Sequence, residues 1–186
     1  MYRTMRSVFS CMAVLFLAVA GTDNVAAASD RGMIPVAMGG GSVVEATFQG
    51  GAEEEVTFSF FAGYEKDGNP AGSFHFRRAY PDGKVSVVLS TEITGIEPVI
   101  VDEENGCSVM SMTGIAKLIP GWKTDTPRNP RQGQQFTLVV EDCDGYSDDT
   151  VTDMIWFEVR YPNGNVRPGL SLEEHLFAVN GNIQIQ

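Results

Sequence analysis

The stretch Ser73–Ile93 constrains the fold more tightly than any other part of the chain. Two runs rich in β-branched and aromatic residues, Ser73–Tyr80 and Lys84–Ile93, are separated only by Pro81-Asp82-Gly83. Proline presets the turn and glycine accepts the left-handed backbone that closes it, so the pair reads as a β-hairpin. The same grammar recurs along the chain. Val43–Phe48 stops at Gly50-Gly51, Glu55–Tyr64 at Asp67-Gly68-Asn69-Pro70, and Glu97–Val101 at Asn105-Gly106. Cys107–Ile119, Gln134–Glu141, Met154–Tyr161 and Phe177–Ile185 follow. Val56, Phe58 and Phe60 alternate with Thr57 and Ser59, and Ile155, Phe157 and Val159 with Trp156, Glu158 and Arg160. Period-two patterning of this kind gives a sheet with one buried and one wet face. The expectation is an all-β chain: an antiparallel sandwich or a closed up-and-down barrel of about eight or nine strands.

Few segments offer anything else. Ser171–Phe177 carries a capping box in Ser171 and Glu174 and predicts one short helix, two turns at most. Pro120–Gly133 contains three prolines and the cations Lys123, Arg128 and Arg131, and reads as a long loop. Loops of that length in compact domains are often functional. Residues 29–42, rich in glycine and small residues, read as a flexible leader to a single β domain over 43–186.

Ahead of that leader, residues 1–28 have the order of an export signal: Arg3 and Arg6, an apolar run from Val8 to Ala20, and an A-x-A site at Ala26–Ala28. The run is shorter than the roughly 20 residues needed to span a bilayer, so a cleaved signal peptide is expected rather than an anchor. Cleavage near Ala28 leaves 11 basic and 23 acidic residues, a net charge of −12 against −11 for the full chain. Such a charge disfavours nucleic acid and anionic membrane as partners. It also leaves two cysteines, Cys107 and Cys143. In an oxidising secreted or periplasmic compartment these are expected to pair, the alternative being two separately buried thiols.

The densest polar cluster is Glu141–Asp149. Asp142, Asp144, Asp148 and Asp149 offer oxygens for calcium, but the spacing is not that of an EF-hand, and an acidic turn held open by self-repulsion is the plainer reading, since turns favour Asp and Gly by themselves. No other cofactor is expected. The only histidines, His75 and His175, have no partners at zinc-ligand spacing, and His75 should lie on the face opposite Phe74 and Phe76. No G-x-S-x-G, phosphate loop or dinucleotide fingerprint occurs, so no catalytic residue is assigned and an enzyme is not expected. Trp122 beside Lys123, Arg128 and Arg131 forms a cationic, aromatic group on an acidic protein, suited to a protein or glycan partner, or else Trp122 folds back as a lid on the sheet. Trp156 interrupts the alternation of its strand.

Four stretches in order resemble a family of small secreted bacterial domains, the post-COAP-1 domains. Gly72-Ser73-Phe74-His75-Phe76 is similar to its G-x-F-x-Y strand, and Thr91–Ile96 to its T-x-V-T-x-V strand. Phe136–Tyr161 resembles its FTVTVVDNGEPGxGDTFSI hairpin, and Asn180–Gln186 its GGNIQIH-type ending. The chain departs from the pattern in the length of Pro120–Gly133, in Cys143 and in Gln186. The resemblance implies an exported β domain and no catalytic residues.

Together these readings describe an exported, soluble, non-enzymatic β-sheet binding module. One rival is a lipocalin-like barrel carrying a small apolar ligand in a lumen lined by Phe58, Phe60, Phe74 and Phe76. Others are an outer-membrane barrel, disfavoured by Glu158 and Arg160 on the face of Trp156, and a secreted hydrolase built around one of the histidines.

Overall fold

The computed structural model describes residues 33–43, 46–48, 52–53, 55–97, 100–102, 106–122, 129–143, 152–172 and 176–186; the expected signal peptide, 1–28, lies outside them. The strands are β1 (Ile34–Val43), β2 (Thr47–Phe48), β3 (Ala52–Glu53), β4 (Glu55–Tyr64), β5 (Pro70–Ala79), β6 (Val85–Ile96), β7 (Ile100–Asp102), β8 (Cys107–Trp122), β9 (Arg131–Asp142), β10 (Met154–Arg160) and β11 (Phe177–Ile185). One 3-10 turn, Pro168–Leu170, follows β10. Among the described residues no helix is long and apolar enough to cross a membrane.

Nine strands form one antiparallel sheet, and eight of them close into a ring in the order β1-β4-β5-β6-β8-β9-β10-β11. Neighbours in the ring are neighbours in the chain, apart from the small β2–β3 hairpin between β1 and β4, β7, and the closure of β11 on β1. β7 extends β6: both lie antiparallel to β8, and between them Glu97 N–H donates to Ser111 O at 2.9 Å. The all-β antiparallel expectation holds, and the strand order is that of the up-and-down alternative, although the ring is not a clean barrel.

Phenylalanines fill the ring. Phe58, Phe60, Phe74, Phe76, Phe136 and Phe157 are all buried. Phe157 lies 4.3 Å from Phe76 and 6.1 Å from Phe74, and Phe74 lies 5.1 Å from Phe136, centroid to centroid. Glycine makes room for the largest of these contacts. A Cβ on Gly114 would sit 2.3 Å from the Glu92 carbonyl oxygen and 2.6 Å from the Phe136 ring.

Three sequence expectations are corrected. The segment 29–42 is, from Ile34 onward, the strand β1, paired with β4 on one side and β11 on the other. Glycine has poor strand propensity, but a Cβ on Gly39 would meet the Phe60 ring and the Asn182 carbonyl oxygen at 2.8 Å. Close packing of neighbours outweighs propensity there. The Pro120–Gly133 loop is shorter than expected, because β8 runs on to Trp122 and β9 begins at Arg131. Pro120 is tolerated because the β6–β8 register shifts there, from Val87↔Ile119 to Val85↔Trp122, and bulges accept proline. The helix expected at Ser171–Phe177 does not start. Ser171 is extended (φ −117°, ψ 135°), and its hydroxyl accepts the Val159 N–H at 2.9 Å instead of capping a helix. Leu172 bridges Phe48, and β11 begins at Phe177.

The β10–β11 junction is the thinnest in the ring, with register pairs only at Met154↔Ala178 and Ile155↔Phe177. Beyond them, the even residues of β11 face β1, as Gln186 N–H shows by donating to Val36 O at 2.8 Å. The odd residues point away and find carboxylates. Ile183 N–H donates to Asp153 Oδ2 at 2.6 Å, and Ile185 N–H to Asp142 Oδ2 at 2.7 Å. Asp153 Oδ1 also accepts Cys143 N–H at 3.2 Å. Cys143, one residue past the end of β9, is bonded to Cys107 at the start of β8, with Cα atoms 4.4 Å apart, next to the Ser108↔Asp142 pair.

Replacing Asp153 with alanine strands two buried N–H groups, so Asp153→Ala should lose about 2–5 kcal/mol in urea denaturation, with Asp153→Asn falling between it and wild type. Gly114→Ala should lose about 2 kcal/mol or more, because strand backbone rather than a flexible side chain opposes the added methyl. Wild-type urea midpoints for both alanine variants would refute these assignments.

Candidate functional site

The end of the ring opposite the disulfide carries two copies of one turn. Tyr80-Pro81-Asp82-Gly83 follows β5, and Tyr161-Pro162-Asn163-Gly164 follows β10. In the first, Gly83 N–H donates to Tyr80 O at 2.9 Å and Tyr80 N–H to Lys84 O at 2.9 Å. In the second, Gly164 N–H donates to Tyr161 O at 2.9 Å and Tyr161 N–H to Asn165 O at 2.8 Å. Asp82 and Asn163 each accept the backbone N–H two residues on, at 3.1 and 3.2 Å. Gly83 and Gly164 take φ of 79° and 86°, the left-handed conformation that closes such a turn. Proline fixes the residue after each tyrosine and cannot continue the ladder, so each tyrosine is set at a strand end.

Each tyrosine ring carries an arginine. The Arg78 guanidinium lies 4.5 Å from the Tyr80 centroid and 3.7 Å from that of Phe48, and donates to the Gly169 carbonyl oxygen. The Arg167 guanidinium lies 3.6 Å from the Tyr161 centroid. Both arginines are buried, at 4% and 8% exposure, and guanidinium over an aromatic face is a favourable pairing in such surroundings.

Between the two stacks opens a cavity of about 250 Å³ lined by Tyr80, Ser86, Arg131, Tyr161 and Arg167, with Leu118, Pro120, Gly121 and Pro168–Leu170 completing the wall. The bulge at Pro120 shapes this wall: Gly121 N–H donates to Ser86 Oγ at 2.9 Å, and Ser86 Oγ lies 3.2 Å from the Tyr80 hydroxyl. Arg167 Nε donates to Gln134 Oε1 at 2.6 Å, and Gln134, itself buried, donates to Gln132 O at 2.9 Å. Among the described residues neither Arg131 nor Arg167 has a carboxylate partner, whereas Arg160 pairs with Glu158 at 2.5 Å. Burial holds the Arg167 guanidinium below its ordinary value; Tyr161 works against that shift, and the like charge of Arg131 adds to it.

Of the expected cationic group, Arg131 lines the cavity, and Trp122 ends β8 opposite Val85, at the same end of the ring; Lys123 and Arg128 lie outside the described residues. Of the expected calcium ligands, Asp142 gives one oxygen to Ile185 N–H, and Asp144, Asp148 and Asp149 lie outside the described residues. Glu141, Cys107 and Cys143 bring ligand atoms within 4.8 Å of one another, with the two sulfurs bonded to each other. His75 is exposed on β5, opposite in facing to buried Phe74 and Phe76; His175 lies outside the described residues. Trp156 is half-buried against the core, and its Nε1 has no partner among the described residues. The residues that sequence reasoning missed are Tyr80, Tyr161, Gln134 and Arg167. The repeated Tyr-Pro-Asp/Asn-Gly was the available signal for the tyrosines.

No family model matches the chain, and neither a curated protein nor a solved structure does.

Partial burial, then the neighbouring Arg77 charge, lower the His75 pKa from 6.5. A proton-detected titration should therefore place His75 below that value, and Arg77→Gln should move it up. Because the unfolded chain binds the proton more tightly, His75 makes no difference above its unfolded pKa and costs stability as pH falls from about 6.5 through its folded value. A titration midpoint at or above 6.5 would contradict this.

Proposed function

We propose that the protein is an exported, non-enzymatic binding module that receives its ligand at the tyrosine–arginine mouth of the ring. The observation that carries this reading is the cavity itself: cationic and hydroxyl groups line its wall while the aromatic residues of the interior pack on one another. Ligand sites are concave, with a few convergent polar groups on rigid elements, and paired turns of fixed geometry supply such elements here. The Cys107–Cys143 disulfide and the sequence of residues 1–28 support export, and the resemblance to the post-COAP-1 domains points the same way.

The rival carrier function would place an apolar ligand among Phe58, Phe60, Phe74 and Phe76. Those rings are buried and take part in the contacts that fill the ring, which favours the mouth over the lumen.

Amide shift mapping with a library of small polar fragments tests the choice. Perturbations are expected to cluster at Tyr80–Ser86, Arg131 and Tyr161–Leu170. The neutral fluorophore N-phenyl-1-naphthylamine should stay dim. Bright fluorophore together with shifts confined to Phe60, Phe74 and Leu138 would overturn the mouth reading in favour of an apolar carrier.

A further inference from the structure

Resting on the mouth as the ligand seat, we infer that this seat is selective for an oxyanion, a carboxylate or sulfate group on a small ligand, held by Arg131 and Arg167. The donors and acceptors of the wall point one way. Arg131 and Arg167 offer only N–H groups, Ser86 and Tyr80 offer hydroxyls, and among the described residues no carboxylate lines the cavity. That omission has weight in a chain with 24 acidic residues and 13 basic ones. Lys84 is neutralised by Asp82 and Arg160 by Glu158, while Lys66, Arg77 and Lys117, which have no carboxylate partner among the described residues, are not buried.

Arg167 is the more telling of the two. It is held in place by a neutral amide, Gln134, through Nε, and by the Tyr161 ring beneath it. Neither contact cancels its charge, and no described residue bonds its two terminal nitrogens. Arg167 is buried as a residue, at 8% exposure, and its guanidinium gains no counter-ion among the described residues. Burying a charge in this way is costly unless an opposite charge arrives, and the planar fork matches a carboxylate or sulfate in two-point geometry. A cavity of about 250 Å³ equals roughly eight water molecules' share of liquid volume, more than a single oxyanion group fills. The anionic group therefore has room to carry an organic body, which the tyrosine rings flank.

Calorimetric titration of the purified protein with glucuronate, citrate and sodium sulfate, each against a neutral counterpart such as glucose, tests this. Anions should bind at least tenfold more tightly than their neutral counterparts, and the preference should weaken as sodium chloride is raised. Arg131→Gln should cut anion affinity about tenfold or more, as expected for a lost charge-assisted hydrogen bond. Arg167→Gln should cut it further, with its melting temperature measured in parallel, and exposed Arg131 provides the variant least tied to folding. Lys66→Gln, in the exposed turn between β4 and β5 and outside the cavity, should leave affinity unchanged. If sulfate binds as tightly as the organic acids, the occupant is a free inorganic anion; if the organic acids bind more tightly, it is an anionic small molecule. Both results sustain the oxyanion site. Equal affinity for glucose and glucuronate, with shifts at the mouth, would overturn the anion selectivity and leave the mouth reading standing. No shift at the mouth with any ligand or fragment would overturn both.

Discussion

The ring depends on two aspartate side chains doing what a strand would ordinarily do. Where β11 parts from β10, the N–H groups of Ile183 and Ile185 point into the gap, and Asp153 and Asp142 accept them. A buried backbone donor without a partner costs about as much as a lost hydrogen bond, so an eight-stranded closure with a short final ladder would otherwise gape. Asp153 does more than fill a gap. Its other oxygen accepts the Cys143 N–H, and Cys143 is bonded across β8–β9 to Cys107. The Asp153 carboxylate thereby ties β11 to the end of β9 and, through the disulfide, to β8.

This division of labour leaves the other end of the ring free for chemistry. There the paired Tyr-Pro turns, the buried arginines and the 3-10 turn build a cavity with few structural duties of its own. Two arginines, Arg131 and Arg167, face this cavity on a chain whose net charge is −11.

Much of the fold could be read from the sequence, because period-two alternation and proline–glycine turns are local signals. The β5–β6 hairpin was visible there, the up-and-down order was one of two architectures the pattern allowed, and the Cys107–Cys143 pair was the favoured one of two cysteine states. β1 was not, because its Gly39-Gly40-Gly41 run has no local reason to be extended. Its reason is the bulk of Phe60 on one neighbour and the close approach of β11 on the other. Ser171 shows the opposite failure: a strong local capping signal, outcompeted by the Val159 N–H of β10. The site was half legible. Arg131 stood out by charge, but Arg167 and Gln134 are brought together by a contact 33 residues long in sequence, which no local pattern announces.

The pairing of β1 with β11 has a consequence for how the chain comes to be folded. Ala37 lies opposite Ile185 and Val43 opposite Val179, so the first strand of the ring waits for the last before its second ladder can form. Every other neighbour is joined through a short or moderate stretch of chain, and only this ladder closes a loop of nearly the whole domain. Such a contact carries the largest loop-closure entropy in the molecule and slows the final step rather than the early hairpins. It also places the start of β1 beside the end of β11, a geometry suited to circular permutation. Joined there and opened at the exposed Glu65–Asn69 turn, the same ring would have its most distant ladder converted into a local hairpin.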